Sequence, residues 1–135
     1  MSTSRAAMTY ATALNRNELF ESPGLRRDIP ALLDEHEEVL LVLPGVAGTF
    51  PDVMIATAHR FLLASVAGPM KKAKVKKEVP AAEVSGVEYR PGLLSRAKVR
   101  TGSQGTIAMV PHRKADAERF AREFTHLIHT GTLPA

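Results

Sequence analysis

Between Val53 and Arg100 short apolar runs recur between breaks that carry Pro or Gly, and this period-two pattern commits the middle of the chain to a sheet. Val53, Ile55 and Thr57 alternate with Met54 and Ala56, a four-residue turn including His59 and Arg60 follows, and Phe61 to Val66 is a second apolar run. Two such runs that close predict a hairpin. A Lys-rich segment ending at Val79 comes next, then Val84 to Arg90, then Ala97 to Thr101. In the Lys-rich strand, alternation places Ala73, Val75 and Val79 inward and Lys74, Lys76 and Glu78 outward. Val84, Val87 and Tyr89 form the next inward set, with Gly86 free to host a bulge or bend. Val99 and Thr101 are expected to face Ile107 and Met109 across the polar connection Gly102-Ser103-Gln104-Gly105.

Two flanking patterns complete the expected order. Upstream, Val39 to Leu43 is apolar on both faces and is predicted as a strand that stops at Pro44-Gly45, with a loop from Val46 to Asp52. Downstream, Ala117, Phe120, Ala121, Phe124, Leu127 and Ile128 form one continuous helical stripe, with Asp116, Glu118, Arg119, Arg122 and Glu123 on the other side. Gly131 suits the end of that helix. Seven strands followed by one amphipathic helix is the predicted order; a sheet of that length closes on itself or splits, and a helix with two Phe can plug the opening.

The first residues to about position 11 show no periodicity and are expected to be disordered. Ala13, Leu14, Asn17 and Leu19-Phe20 suit a short helix ended by Ser22-Pro23-Gly24. Ile29 to Asp34 suits a second, with Asp28 as N-cap and Pro30 in its first turn. The expected organisation is an N-terminal arm over 1–37, the barrel with its helix over 38–130, and a tail over 131–135.

The chain has 135 residues and no Cys, a size for one core without disulfides or a thiolate metal site. The longest apolar run, Val39 to Leu43, is too short to span a bilayer, and no continuous apolar signal follows Arg5. The expected location is cytoplasmic. The acid-free, Ser/Thr/Ala-rich opening fits a frayed terminus or an organelle transit peptide, the first being the expectation.

The formal net charge of +4 hides an asymmetry: residues 1–38 hold seven acids and four bases, while residues 39–135 hold fourteen bases and seven acids. Ile29, Leu32 and Leu33 are expected to anchor the acidic Asp28 to Glu38 segment onto the barrel, where it would shield part of a basic surface. The basic residues concentrate in Lys71, Lys72, Lys74, Lys76 and Lys77, expected beside Arg90, Arg96, Lys98 and Arg100 on neighbouring strands. That set is the candidate binding surface for an anion or a partner. Lysines on an exposed strand also oppose edge-to-edge aggregation, so a solvated edge accounts for the same residues.

Several segments together resemble a bacterial pleckstrin-homology-like (PH-like) domain, over roughly Glu37 to His129. They are the turn before Arg60-Phe61-Leu62-Leu63, the stretch Val87-Glu88-Tyr89-Arg90-Pro91-Gly92-Leu93-Leu94, and the helix start Ala115-Asp116-Ala117-Glu118-Arg119-Phe120. The resemblance implies a mainly β fold with α: a seven-stranded, strongly bent antiparallel barrel capped by a C-terminal helix. Such domains commonly carry Asp at the turn where this chain has Ala58-His59. In lipid-binding members the phosphates sit on basic residues between the first two strands, and Pro44 to Asp52 holds no Lys or Arg.

No residue set forms a recognisable catalytic constellation, and no cofactor is expected. Glu123, His126 and His129 recur every three residues on the last helix, where helix-end histidines explain them without a metal. Single-strand nucleic-acid binding needs aromatic platforms, and two Tyr, five Phe and no Trp supply few beyond the core. The expected function is a non-enzymatic binding module with a protein partner, met through a strand edge or a helix groove. The alternative is a peripheral binder of anionic membrane lipid acting through the basic strand face.

Overall fold

In this computed structural model residues 4–17, 23–46, 51–66, 73–93 and 95–134 are described. Their strands are β1 (Val39–Val46), β2 (Pro51–Thr57), β3 (Arg60–Ser65), β4 (Lys74–Pro80), β5 (Val84–Arg90), β6 (Arg96–Thr101) and β7 (Thr106–Pro111). The helices are α1 (Arg5–Leu14), α2 (Pro23–Arg27) and α3 (Lys114–Thr130). The strands make one antiparallel sheet of seven in the order β4-β3-β2-β1-β7-β6-β5. This is the mainly β architecture with a C-terminal helix that was expected, and it is consistent with a PH-like fold.

One feature of the expected barrel is corrected. The sheet is open, because β4 and β5 are its two ends and no ladder joins them. Two lobes, β1–β4 and β5–β7, share the inner core, and among the described residues the ladder between them has two pairs, Gly45↔Pro111 and Val46↔Val110. Gly45 is required at this junction, since a Cβ there would collide with the Val110 carbonyl and the Met109 side chain.

The strand limits differ from the expectation at Pro44. β1 runs through Pro44-Gly45 to Val46, so this Pro sits inside a strand. It is tolerated because Pro44, paired with Val53 of β2, turns its carbonyl and nitrogen to the β7 side, where the strand ladder begins only at Gly45. The Pro44 carbonyl accepts from the His112 amide at 3.3 Å.

β1, β2 and β3 are apolar on both faces, and each face has its own core. The inner core holds Leu41, Leu43, Met54, Phe61 and Leu63 together with Phe120 and Phe124 of α3. The outer core holds Val42, Val53, Ile55 and Leu62 against Tyr10, Leu14, Leu25 and Ile29 of the N-terminal arm. Residues 5–11 are therefore helical rather than disordered. Ser4 caps α1 by accepting the Ala7 amide at 3.0 Å, and Ala6 and Tyr10 are buried one turn apart. A stripe of Ala and Tyr is a weak apolar signal, which is why periodicity missed it.

The arm docks through Ile29 and Leu33, with Leu32 packed beside them, as expected from 29–33. What it covers is apolar strand surface together with Arg60 of β3, which Glu37 holds. Ile29–Leu32 is a 3₁₀ turn, and Asp28 makes no side-chain cap bond there. The Tyr10 hydroxyl donates to the Leu25 carbonyl at 2.6 Å, joining α1 to α2.

The bulge expected near Gly86 is present as a register shift between Val84 and Gly86. A second shift lies opposite Leu63/Ala64, where Leu63 pairs with Lys77 and Ala64 with Val75. It reverses the parity of β4. Val79 faces the inner core, whereas Val75 and Ala73 pack on the outer one, so the three do not share a face.

In the inner core Phe120 and Phe124 meet edge to face at 5.5 Å, and Phe124 lies 5.8 Å from Phe61. Phe120→Ala should cost about 3–5 kcal/mol, because its ring is buried. Chemical denaturation measures it, and an unchanged midpoint contradicts the packing.

Candidate functional site

The basic residues expected to form one surface are divided between the two ends of the sheet. Lys71 and Lys72 lie outside the described residues. Lys74 and Lys77 are exposed on β4, one edge strand, whereas Arg90, Arg96, Lys98 and Arg100 belong to β5 and β6 at the other edge. The expected adjacency fails because a lysine strand and an arginine strand that follow each other in sequence are six places apart in sheet order. Lys76, exposed on the same strand, has its charge paired. Its Nζ sits 2.9 Å from Oδ2 of Asp52, a carboxylate only 1% exposed, across β3.

Arg90, Arg96, Lys98 and Arg100 do share a face. The ladder sets Arg90 opposite Arg96, Glu88 opposite Lys98 and Gly86 opposite Arg100, while Val87, Tyr89, Ala97 and Val99 take the inner side. Glu88 is the acid among them, 3.4 Å from Arg90 and 3.8 Å from Arg100.

A cavity of about 580 Å³ opens at the α3 end of the sheet. Its floor is Ala56 and Phe61, one wall is Phe124, Leu127 and Ile128 of α3, and the other is Ala81, Ala82 and Val84. The small side chains of Ala81 and Ala82, on the 3₁₀ turn between β4 and β5, are what leave the space. The tail after α3 completes it. Gly131 ends the helix with φ of 81°, a left-handed conformation suited to Gly, and its amide donates to the Leu127 carbonyl at 2.8 Å. The chain then turns back and sets Leu133 against the inner core. Glu38, Thr57, Arg60 and Thr132 supply the polar rim.

The visible sign of this cavity was the length of the helical stripe. Phe120 and Phe124 suffice to fill the core, and Leu127 and Ile128 continue the same face beyond it. The opposite wall left no sign, since Pro80-Ala81-Ala82 reads only as a turn.

Arg60 on the rim is held from two sides. Its Nε and Nη2 lie 2.8 and 2.9 Å from the two oxygens of Glu37, Nη1 lies 3.0 Å from Glu78, and Nη2 also donates to the Leu32 carbonyl at 3.1 Å. The guanidinium thus ties the arm to β3 and to edge strand β4. Thr57 closes the two-residue turn beneath it, accepting from the amides of His59 and Arg60 at 3.1 and 3.0 Å. The turn is shorter than the four residues expected.

The last helix carries no assembled metal set. Glu123 faces Arg16 of the arm, with two hydrogen bonds of 2.9 and 2.8 Å, and His126 Nδ1 lies 2.9 Å from the Thr132 carbonyl. Among the described residues no cluster of His, Cys, Asp or Glu is placed to hold a metal, and no helix is long and apolar enough to cross a membrane.

Burial pushes the Glu37 carboxyl up, but the Arg60 guanidinium, the Thr57 hydroxyl and the Asp34 amide outweigh it and hold the carboxyl below its ordinary value. A carboxyl with a depressed folded-state pKa adds stability above the ordinary carboxylate pKa and loses it as pH falls through the folded value. Arg60→Ala strands the Glu37 carboxylate and should cost about 3–5 kcal/mol at neutral pH. Glu37→Gln should also lower stability at neutral pH, and its stability should fall less than the parent's on acidification below pH ~4. Urea titrations across pH measure both, and parallel acid profiles for parent and Glu37→Gln contradict the assignment.

No family model, curated protein or solved structure matches this chain, so its function is argued from the geometry alone.

Proposed function

We propose that this chain is a PH-like, non-enzymatic binding module that holds a short apolar segment of another protein in the cavity between α3 and the Ala81–Glu83 turn. The observation that carries the reading is the cavity itself. At about 580 Å³ it falls within the range of pockets that hold ligands, and its apolar walls stand within a rim of Glu38, Thr57, Arg60 and Thr132. A groove beside a helix receives an amphipathic segment through a few apolar anchors, with the rim fixing orientation. The mainly β architecture with its C-terminal helix is consistent with the PH-like resemblance of the sequence.

Substitution in the cavity tests it. Ala82 is exposed, so Ala82→Glu should leave the melt within about 1 kcal/mol of the parent while placing a carboxylate on the wall. Ile128→Ala shortens the helical wall from the other side without burying a charge, and an unchanged fold is checked by its melt, since Ile128 is half-buried against the inner core. A protein captured from native lysate by the parent should be lost with both variants and kept with Lys74→Gln/Lys77→Gln, at low and physiological salt alike. Capture that survives both cavity variants, or no captured protein at all, contradicts the reading.

A further inference from the structure

We infer a second interaction surface, independent of the cavity: the β5–β6 hairpin tip and the outer face behind it form a docking site for an anionic membrane surface. The observation behind it is Leu93, fully exposed in the turn between Arg90 and Arg96. Among the described residues only Met8 is another exposed large apolar side chain, and it lies on α1. Leu93 is flanked by the one ladder pair in the sheet that sets two arginines directly opposite each other, Arg90↔Arg96. Like charges so placed destabilise a sheet, and folding supplies no compensation beyond Glu88.

The rest of the face extends the same pattern. Behind the arginine pair come Lys98 and then Arg100, one and two outward steps along β6, about 7 and 13 Å further back. Arg100 lies across Gly86, where any Cβ would collide with its guanidinium, so the glycine keeps that part of the face flat. Among the described residues nothing packs over this face, whereas the corresponding face of β1–β3 is sealed by the arm. The arm is also where the acids concentrate, so the charge asymmetry of the chain turns the β5–β6 side toward a negative surface.

An apolar tip ringed by cations suits the boundary between acyl chains and phosphate headgroups. Nucleic acid fits less well, because Tyr89 packs inward and the face offers no aromatic platform. In the docked orientation Leu93 enters first, Arg90 and Arg96 lie at the phosphate level, and Lys98 stands about one Debye length behind at physiological salt. Arg100 lies beyond that length and is shared with Glu88.

Co-sedimentation of the full chain with vesicles tests this, using phosphatidylcholine alone and with about one third phosphatidylserine. Binding is expected only to the anionic vesicles and should weaken steeply between low and physiological salt. Arg90→Gln/Arg96→Gln should reduce it at least about tenfold, Leu93→Ser several-fold, Lys98→Gln less, and Lys74→Gln/Lys77→Gln little. All these side chains are at least partly exposed, so unchanged melts certify the variants. Absence of binding to anionic vesicles at low salt overturns the proposal. So does binding indifferent to Leu93 and the arginine pair, or a preference of this face for an acidic peptide or an oligonucleotide. Ala82→Glu should leave vesicle binding intact, which separates this surface from the cavity.

Discussion

A sheet that is apolar on both faces cannot stand with either face in water, and β1, β2 and β3 form such a sheet. Every residue of β2 from Asp52 to Thr57 is buried. Everything else in the fold answers that requirement. The inner face closes on the second lobe and on the Phe120/Phe124 side of α3, and the outer face closes on α1, α2 and the 3₁₀ turn. The arm also satisfies the backbone. Where β1 has no partner in β7, Thr9 accepts the Val39 amide at 2.9 Å and Asn17 donates to the Val42 carbonyl at 3.0 Å. A helix thus takes part of the hydrogen-bonding role that a neighbouring strand has elsewhere.

The two covers are tied to each other across the place where the lobes separate. Glu123 of α3 receives Arg16, while Arg119 of α3 donates to the Arg16 carbonyl at 2.9 Å and to Asn17 Oδ1 at 3.1 Å. Among the described residues two ladder pairs join β1 to β7, and these side-chain bonds add a polar tie to the apolar packing of α3 on the first lobe. They explain why Glu123, on the polar side of a helical pattern, is buried.

The strands, their order in the chain, the Gly102–Gly105 hairpin and α3 were legible because each is written in local periodicity. Less legible was whatever depends on register or on distant partners. A one-residue shift opposite Leu63/Ala64 moves Val75 to the other face of β4, and no local pattern marks it. Sheet order likewise separates the β4 lysines from the β5–β6 arginines, so the expected basic surface is only half assembled, on the arginine side. Lys76 reads as a surface charge until Asp52 is found beneath it. The cavity arises from two segments far apart in sequence, and only its helical wall had a sequence signature. Those two surfaces, the cavity at the α3 end and the cationic tip of the β5–β6 hairpin, are drawn from different residues and leave each other free.

The central claim is that the N-terminal arm belongs to the folding unit of the sheet, and native-state amide hydrogen exchange tests it most directly. The amides of Ala13 and Leu14 in α1 should open with the same free energy and denaturant dependence as those of Leu41, Ile55 and Leu62. If α1 instead exchanges through a separate, lower-energy opening while the sheet stays protected, the outer core is an accessory cover and the claim fails.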